Sequence, residues 1–398
     1  MKNGWQSKTL GEICEIERGG SPRPIQNFMT TDPNGINWIK ISDATASGKY
    51  IYKTEEKIKP AGVKRSRMVH EGDFILSNSM SFGRPYIMKT TGCIHDGWLV
   101  LRQPKVDPDY LYHALSSDLV FSQFDRLAAG STVRNLNIGL AKSVEIPYPP
   151  LPEQKRIVGI LDQALEAIAT AKANTEKNLQ NARAVFESCL DTIFAKQTRA
   201  WERVRIEDAC ESIVDCLNRT APKVAGPTPF KMVRTTNVRN GNVSLESVNY
   251  VTEEVYRVWT RRQVPRPGDV LLTREAPMGE VGMLITDDKV FLGQRIVSYR
   301  ADPAKLDSRF LLYALQSGDL QGQIHALASG STVQHMRVPD SKNLELPLPN
   351  LAEQATTVCT LEAIREATQH LKSLYERKLA ALEALKKSLL HQAFSAAL

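Results

Sequence analysis

The sequence predicts a mixed α/β chain of the α+β kind: two similar globular domains separated by two long antiparallel coiled-coil helices, a pseudo-twofold tandem repeat. Three observations carry the prediction. First, Gly130-Ser131-Thr132-Val133 returns as Gly330-Ser331-Thr332-Val333, and Glu153-Gln154 as Glu353-Gln354, each 200 residues later in a chain of 398. Second, each copy opens with short strand-like runs broken by turn signals. Third, each copy closes on a long stretch almost free of glycine and proline, with apolar residues every seven positions. A solenoid repeats every ~20–50 residues. A period near 200 instead means a whole domain written twice.

The first domain spans 1–147. "INWIKISD", "GDFILS", "GWLVLR" and "SVEIP" are its strand-like runs, and "GGSPRP" and "DPNG" are loops. "DYLYHALSSDLVFSQFDRL" has helical spacing. The first spacer helix follows over 148–200. One row of its seam is Val158, Leu165, Lys172, Leu179, Phe186 and Ile193. The other is Leu161, Ile168, Thr175, Ala182 and Cys189, so Lys172 and Thr175 weaken the middle. Ahead of it, "PYPPLPEQ" keeps the chain extended, because a residue before proline avoids the α region. Pro152 suits the first helical position, and Glu153 in the first turn favours the helix dipole.

The second domain, 201–347, repeats the plan with "FKMVRTTN", "GDVLLT", "RIVSYR" and "NLELP". "DYLYHALSS" at 109–117 matches "RFLLYALQS" at 309–317, again 200 residues on. Upstream the offset is 196: "EGDFIL" matches "PGDVLL", Trp5 matches Trp201 and Cys14 matches Cys210. The second spacer helix occupies 348–398. Leu361, Thr368, Tyr375, Leu382 and Leu389 form one row; Ile364, Leu371, Lys378, Leu385 and Gln392 form the other. Asn350 can cap this helix and Glu353 can close a capping box. Each helix has roughly 44 residues, or about 66 Å at 1.5 Å per residue. Two equal seams bury most simply against each other, as an antiparallel pair.

Composition narrows the function. An apolar fraction of 42% and a charged fraction of 24% read as soluble and globular. No run approaches the ~20 apolar residues of a membrane span, and the start shows no signal-peptide core. Six cysteines without a CxxC pair suit a reduced, cytoplasmic protein. The net charge of +7 permits nucleic acid without demanding it. There is no GxGxxG after a strand, no phosphate loop, no GxSxG and no HExxH. Pro108-Asp109 with Glu153-Gln154-Lys155 imitates a nuclease pattern. But Glu153 opens a long helix, and the second copy reads Glu353-Gln354-Ala355. No catalytic residue, metal ligand or cofactor site is therefore expected in this chain. His335 has no partner His or Cys at ligand spacing.

The doubled layout, and the junction "GSTVRNLN…IPYPPLPEQKRIVGILD" with its second copy, resemble the specificity subunits of type I restriction–modification systems. The resemblance covers the whole chain. It implies that each globular domain is a target-recognition domain reading one half of a split site in double-stranded DNA. It implies that the helices fix the distance between half-sites. The implied subunit is not an enzyme. It docks two modification subunits, which carry S-adenosylmethionine and methylate adenine, and restriction subunits, which use ATP and Mg. The second junction departs from the pattern, since "LAEQATTVCTLE" lacks the basic "KRI" that follows Glu-Gln in the first.

Bases are read by Arg, Lys, Asn, Gln, Ser and Thr, and phosphates by Arg, Lys and backbone N–H groups. In the first domain the loops that can present them carry Arg23; Lys64, Arg65 and Arg67; Asn78, Ser79 and Arg84; and Ser131, Thr132, Arg134 and Asn135. In the second they carry Arg234, Asn237 and Arg239; Arg261 and Arg262; Thr273 and Arg274; and Ser331, Thr332, Gln334, His335 and Arg337. A reading from another class is a two-headed protein scaffold that binds no DNA.

Overall fold

A computed structural model of the chain describes residues 4–78, 83–129, 136–197, 201–328, 334–395 and 397–398. It divides into two compact units, 1–176 with 377–398, and 177–376. The two long helices, Leu151–Gln197 and Leu351–Phe394, each contribute one part to each unit. Among the described residues no helix is long and apolar enough to cross a membrane.

The first unit holds two five-stranded sheets. In one, Trp98–Arg102 lies between Glu15–Arg18 and Phe74–Ser77, all antiparallel. Those strands alternate, so Phe74, Leu76, Leu99 and Leu101 face one core while Ile75, Trp98 and Val100 face another. This is the period-2 rule for a strand buried on both faces. The segment from Asp109 to Leu127 forms two helices, Pro108–Leu115 and Asp118–Ala129, rather than one. Ser117 makes the break, since its hydroxyl donates to the Ala114 carbonyl at 2.6 Å. "INWIKISD" is likewise split, into a strand at Ile36–Ile39 and a short helix at Ile41–Thr45.

The second unit repeats the plan with a six-stranded and a three-stranded sheet. Ile296–Ala301 lies between Cys210–Asp215 and Val270–Arg274. Each unit also has a two-stranded ribbon that joins its start to its end, Gln6–Thr9 with Glu145–Tyr148 and Glu202–Arg205 with Glu345–Leu348.

Within each unit the long-helix segments run antiparallel. In the first, Ile157 and Leu161 share a core with Leu390, Ala393 and Phe394, and Lys172 Nζ meets Glu383 Oε1 at 2.5 Å. In the second, Leu190 and Phe194 share a core with Val358 and Leu361. Leu161, Ile168, Thr175 and Ala182 are buried, as the seam predicts. In the second helix only one of the two expected rows goes inward. Leu361 and Thr368 are buried, whereas Leu371, Lys378, Leu385 and Gln392 are exposed. A two-helix contact needs one stripe from each member. Toward its ends the second helix packs against the globular cores, through Val358 in the second unit and Leu390 in the first.

The doubled Glu-Gln motif has a structural role. Pro152 lies at the second helical position, not the first, and the helix starts at Leu151. Its missing N–H costs nothing in either place, because first-turn donors have no partner within the helix. Asn350 Oδ1 accepts from the Glu353 N–H at 3.0 Å, and its amide donates to Glu353 Oε2 at 3.0 Å. The box thus closes on the Asn350 side chain rather than on its backbone. The glutamines are buried clamps. Gln154 accepts from the Asp107 N–H and donates to the Pro149 carbonyl, both at 2.8 Å. Gln354 accepts from the Asp307 N–H and donates to the Lys305 and Pro349 carbonyls, all at 2.8 Å. Asp107 and Asp307 in turn cap the helices at Pro108–Leu115 and Ser308–Gln316.

Gln354→Ala should therefore destabilise the second unit by about 2–3 kcal/mol, because it strands buried donors and acceptors. Urea unfolding would show it as a lower midpoint, and a midpoint within error of the parent would remove the clamp assignment. A second doubled tie joins the same helices to the long ones. His113 Nε2 lies 2.7 Å from Asp162 Oδ1, and Arg309 Nη1 lies 2.8 Å from Glu362 Oε1. Burial holds the His113 imidazole below its ordinary value, against the pull of Asp162.

Candidate nucleic-acid interface

Each unit brings three loops to one junction, and the two junctions are built alike. In the first unit Asn78, at the end of the strand Phe74–Ser77, donates its N–H to the Gly97 carbonyl at 3.0 Å. Its carbonyl accepts from the Leu136 N–H at 3.0 Å. In the second, Arg274 donates to the Arg295 carbonyl at 2.8 Å and accepts from the Met336 N–H at 3.0 Å. Leu136 and Met336 lie just beyond the doubled Gly-Ser-Thr-Val stretches. Leu136 and Met336 are thus each held beside a strand end and a crossing turn.

Asp96 organises the first junction. Its carboxylate accepts from the Ser21 hydroxyl at 2.6 Å and from Arg23 Nη2 at 3.2 Å. Its carbonyl accepts from Asn78 Nδ2 at 2.8 Å and Arg18 Nε at 3.1 Å. The Ser21 hydroxyl holds this carboxyl below the usual carboxylate range, helped by Arg23. The loop can come this close only because residue 19 is glycine. A Cβ there would lie 2.0 Å from the His95 carbonyl oxygen. At the second junction, Arg274 Nη1 donates to the Met336 carbonyl at 2.8 Å and Arg295 Nε lies 3.0 Å from Glu275 Oε2. Glu275 and His335 form an isolated antiparallel bridge.

The residues expected to touch DNA divide into three groups. Some are exposed. Arg23 is 81% exposed beside Asp96, and Lys64, Arg65 and Arg84 face solvent, with Arg84 over the Tyr86 ring at 5.2 Å. Arg67 donates Nε to the Arg18 carbonyl at 3.3 Å and lies 3.6 Å from Glu17. Arg261 and Gln334 are exposed, and Arg262 pairs with Asp215. Arg337 pairs with Asp340 at 2.8 Å.

Others are turned inward, which corrects the expectation that their side chains stand on loop surfaces. Asn78 is 1% exposed and is spent on Asp96. Buried Asn237 accepts from the Arg234 N–H at 2.9 Å. Buried Thr273 donates to the Pro277 carbonyl at 2.7 Å and accepts from the Glu280 N–H at 3.0 Å. Arg234 donates Nη2 to the Ser247 carbonyl, and Arg239 donates Nη1 to the Thr235 carbonyl, each at 2.7 Å. A short polar side chain at a tight junction first satisfies the backbone around it. The remaining candidates, Ser79, Ser131, Thr132, Arg134, Asn135, Ser331 and Thr332, lie outside the described residues. Sequence reading missed Asp96, Glu275 and Arg295. Asp96 and Glu275 sit in no doubled motif, and Arg295 shows in the sequence only as the start of the strand run "RIVSYR"; their position beside a strand end marks them. Among the described residues no group of three or more His, Cys, Asp or Glu could hold a metal ion.

The family model described as type I restriction modification DNA specificity domain matches twice, over residues 2–181 and 199–379. The chain belongs to this family. As a specificity subunit it serves DNA sequence recognition and is not the enzyme of its system. Among its relatives is the type I restriction enzyme MjaVIII specificity subunit of Methanocaldococcus jannaschii, 24% identical, covering 96% of this chain and 90% of that protein. Another is the EcoBI specificity subunit of Escherichia coli, 23% identical, covering 99% and 86%. The fold agrees with the crystal structure of the HsdS subunit from Thermoanaerobacter tengcongensis, with a TM-score of 0.64 at 21% identity over 100% of this chain and 98% of that one. A chain from a study of complex assembly and conformational transition of the type I R-M system gives a TM-score of 0.80 at 21% identity, covering 100% and 99%.

Proposed function

We propose that the specificity subunit reads a bipartite, gapped site in double-stranded DNA, one half through each three-loop junction. The observation that carries this is the doubling of the junction itself. The same strand end and crossing turn occur in both units, each with a strand-end carbonyl bonded by Leu136 or Met336, but with different residues: Asn78 and Gly97 in one, Arg274 and Arg295 in the other. A shared frame carrying different residues suits two half-sites of different sequence. Basic residues around each junction, Arg23, Lys64, Arg65 and Arg84 in one and Arg261, Arg262 and Arg337 in the other, are the proposed phosphate and base contacts. The candidates outside the described residues, Arg134 above all, are proposed DNA contacts as well. Two methyltransferase subunits, carrying S-adenosylmethionine, and restriction subunits, using ATP and Mg, supply the chemistry in the cytoplasm.

The test is to assemble the chain with its modification subunits and map methylated adenines across a genome. A gapped two-part sequence is expected. A single ungapped target, or no sequence dependence with active modification subunits, would overturn the reading. Affinity of the same complex for duplex DNA should fall linearly on a log–log plot against salt, with a slope near −0.9 per phosphate contacted. A scaffold for proteins would leave DNA unbound at every salt concentration.

A further inference from the structure

We propose that Arg295, buttressed by Glu275, reads a guanine in the half-site recognised by the second unit. The inference rests on the DNA-reading function proposed above and assigns one of its specificity-determining residues.

Backbone conformation gives the first argument. Arg295 has φ +71° and Ala276, next to Glu275, has φ +51°. Side chains other than glycine are disfavoured there. Gly97 holds the matching place in the first unit, with the same bond from the strand end to its carbonyl, but its φ lies outside the left-handed region. The second unit alone adopts the left-handed conformation here, and does so with a long cationic side chain where a glycine would relax the backbone. Strain retained at one loop tip points to a role for the side chain.

The hydrogen bonds give the second. Neighbouring arginines spend their terminal nitrogens: Arg234 and Arg239 on backbone carbonyls, Arg274 on the Met336 carbonyl, Arg337 on Asp340. Arg295 differs. Its Nε is 3.0 Å from Glu275 Oε2, and no hydrogen bond among the described residues uses its two terminal nitrogens. The side chain is 51% exposed, while Glu275 is 23% exposed. Glu275 sits beside Nε as an ion pair and leaves the outer edge of the guanidinium, with its two terminal nitrogens, for another partner. That edge offers two parallel donors. In the major groove guanine presents two adjacent acceptors, O6 and N7, which match that spacing. Because the fork is planar and rigid, less rotamer freedom is lost on contact.

The test uses the chain assembled with its modification subunits, with methylation mapped quantitatively. Arg295→Gly removes the side chain and suits the positive φ, so melting temperature should hold or rise. Discrimination at one G·C pair of one half-site should fall roughly 5- to 150-fold, with the other half-site and the gap unchanged. Arg295→Lys should relax the same position in part, because an ammonium lacks the planar fork that matches the two acceptors. Glu275→Gln should relax it less. Unchanged discrimination in both Arg295 variants would overturn the assignment. So would equal weakening on all sequences, which marks a phosphate contact, or a lowered melting temperature for Arg295→Gly, which marks a structural role. If the parent complex itself shows no gapped target, the DNA-reading function fails and this inference falls with it. A gapped target in the parent that the variants do not alter sinks the inference alone.

Discussion

Asp269→Ala should destabilise the second unit by about 3–5 kcal/mol, the usual result of removing one partner from a buried ion pair. Asp269 is 1% exposed and Arg300 16%. Both carboxylate oxygens lie 2.7 Å from the Arg300 guanidinium, and one also accepts from the Arg266 N–H at 2.9 Å. Without them Arg300 keeps the Val264 carbonyl, at 2.9 Å, and the more distant charge of Glu211, and a largely buried cation loses its ion-pair partner. Hydrogen exchange should show faster opening in peptides from 201–347, and urea unfolding a lower midpoint. A loss below about 1 kcal/mol would show that water reaches Arg300 and that the pair is surface-like. Asp73→Ala is the matching change in the first unit and should cost less. Arg102 loses the contact at 2.6 Å but keeps Glu17 at 3.0 Å and the Met68 carbonyl at 2.6 Å.

Lengthening the paired helices should move the proposed half-sites apart without changing what each half says. The Lys172–Glu383 pair sets an antiparallel register in which the matching break for Asn174 falls near Ala381. Four residues added after Asn174, with four more after Ala380, lengthen both members together. An insertion in one helix alone would leave the other short. One added turn is about 6 Å, and four residues rotate the helix by roughly 400°, so each seam returns to within about 40° of its face. DNA advances about 3.4 Å per base pair, so the gap should grow by one or two base pairs. Methylation mapping of the variant reports gap and half-site sequences together. An active variant whose gap is unchanged would show that the helices are not the ruler.

Much of the fold was legible because its signals are local. The doubled motifs, the strand runs and the seven-residue seam need only a few neighbouring residues to be seen. The seam predicted the buried row through Leu161, Ile168 and Thr175. It overstated the second helix, where Leu371 and Leu385 face solvent. Periodicity says which residues share a face, not which face meets a partner. Ser117 shows the same limit at short range, since one side-chain bond divided a helix whose spacing ran on.

The candidate site was legible in the sequence only as a set of loops with suitable residue types. Those near 23, 78, 234, 274 and 337 lie at or around the junctions. Which of their side chains stay available does not follow from residue type. Asn78, Asn237 and Thr273 are as suitable for reading bases as any residue, yet each is bound inward. By itself the sequence determined that there are two similar domains, that two long helices accompany them, and that Glu-Gln opens each helix. Those are properties of spacing along the chain. Only the tertiary structure decided that the glutamines are clamps, that Asp96 gathers three loops and that, among the described residues, no hydrogen bond uses the terminal nitrogens of Arg295. Each depends on a partner far away in sequence: Gln354 on Asp307, Asp96 on Ser21, Met336 on Arg274. A polar atom is spent or spared according to what the folded chain brings within about 3 Å of it.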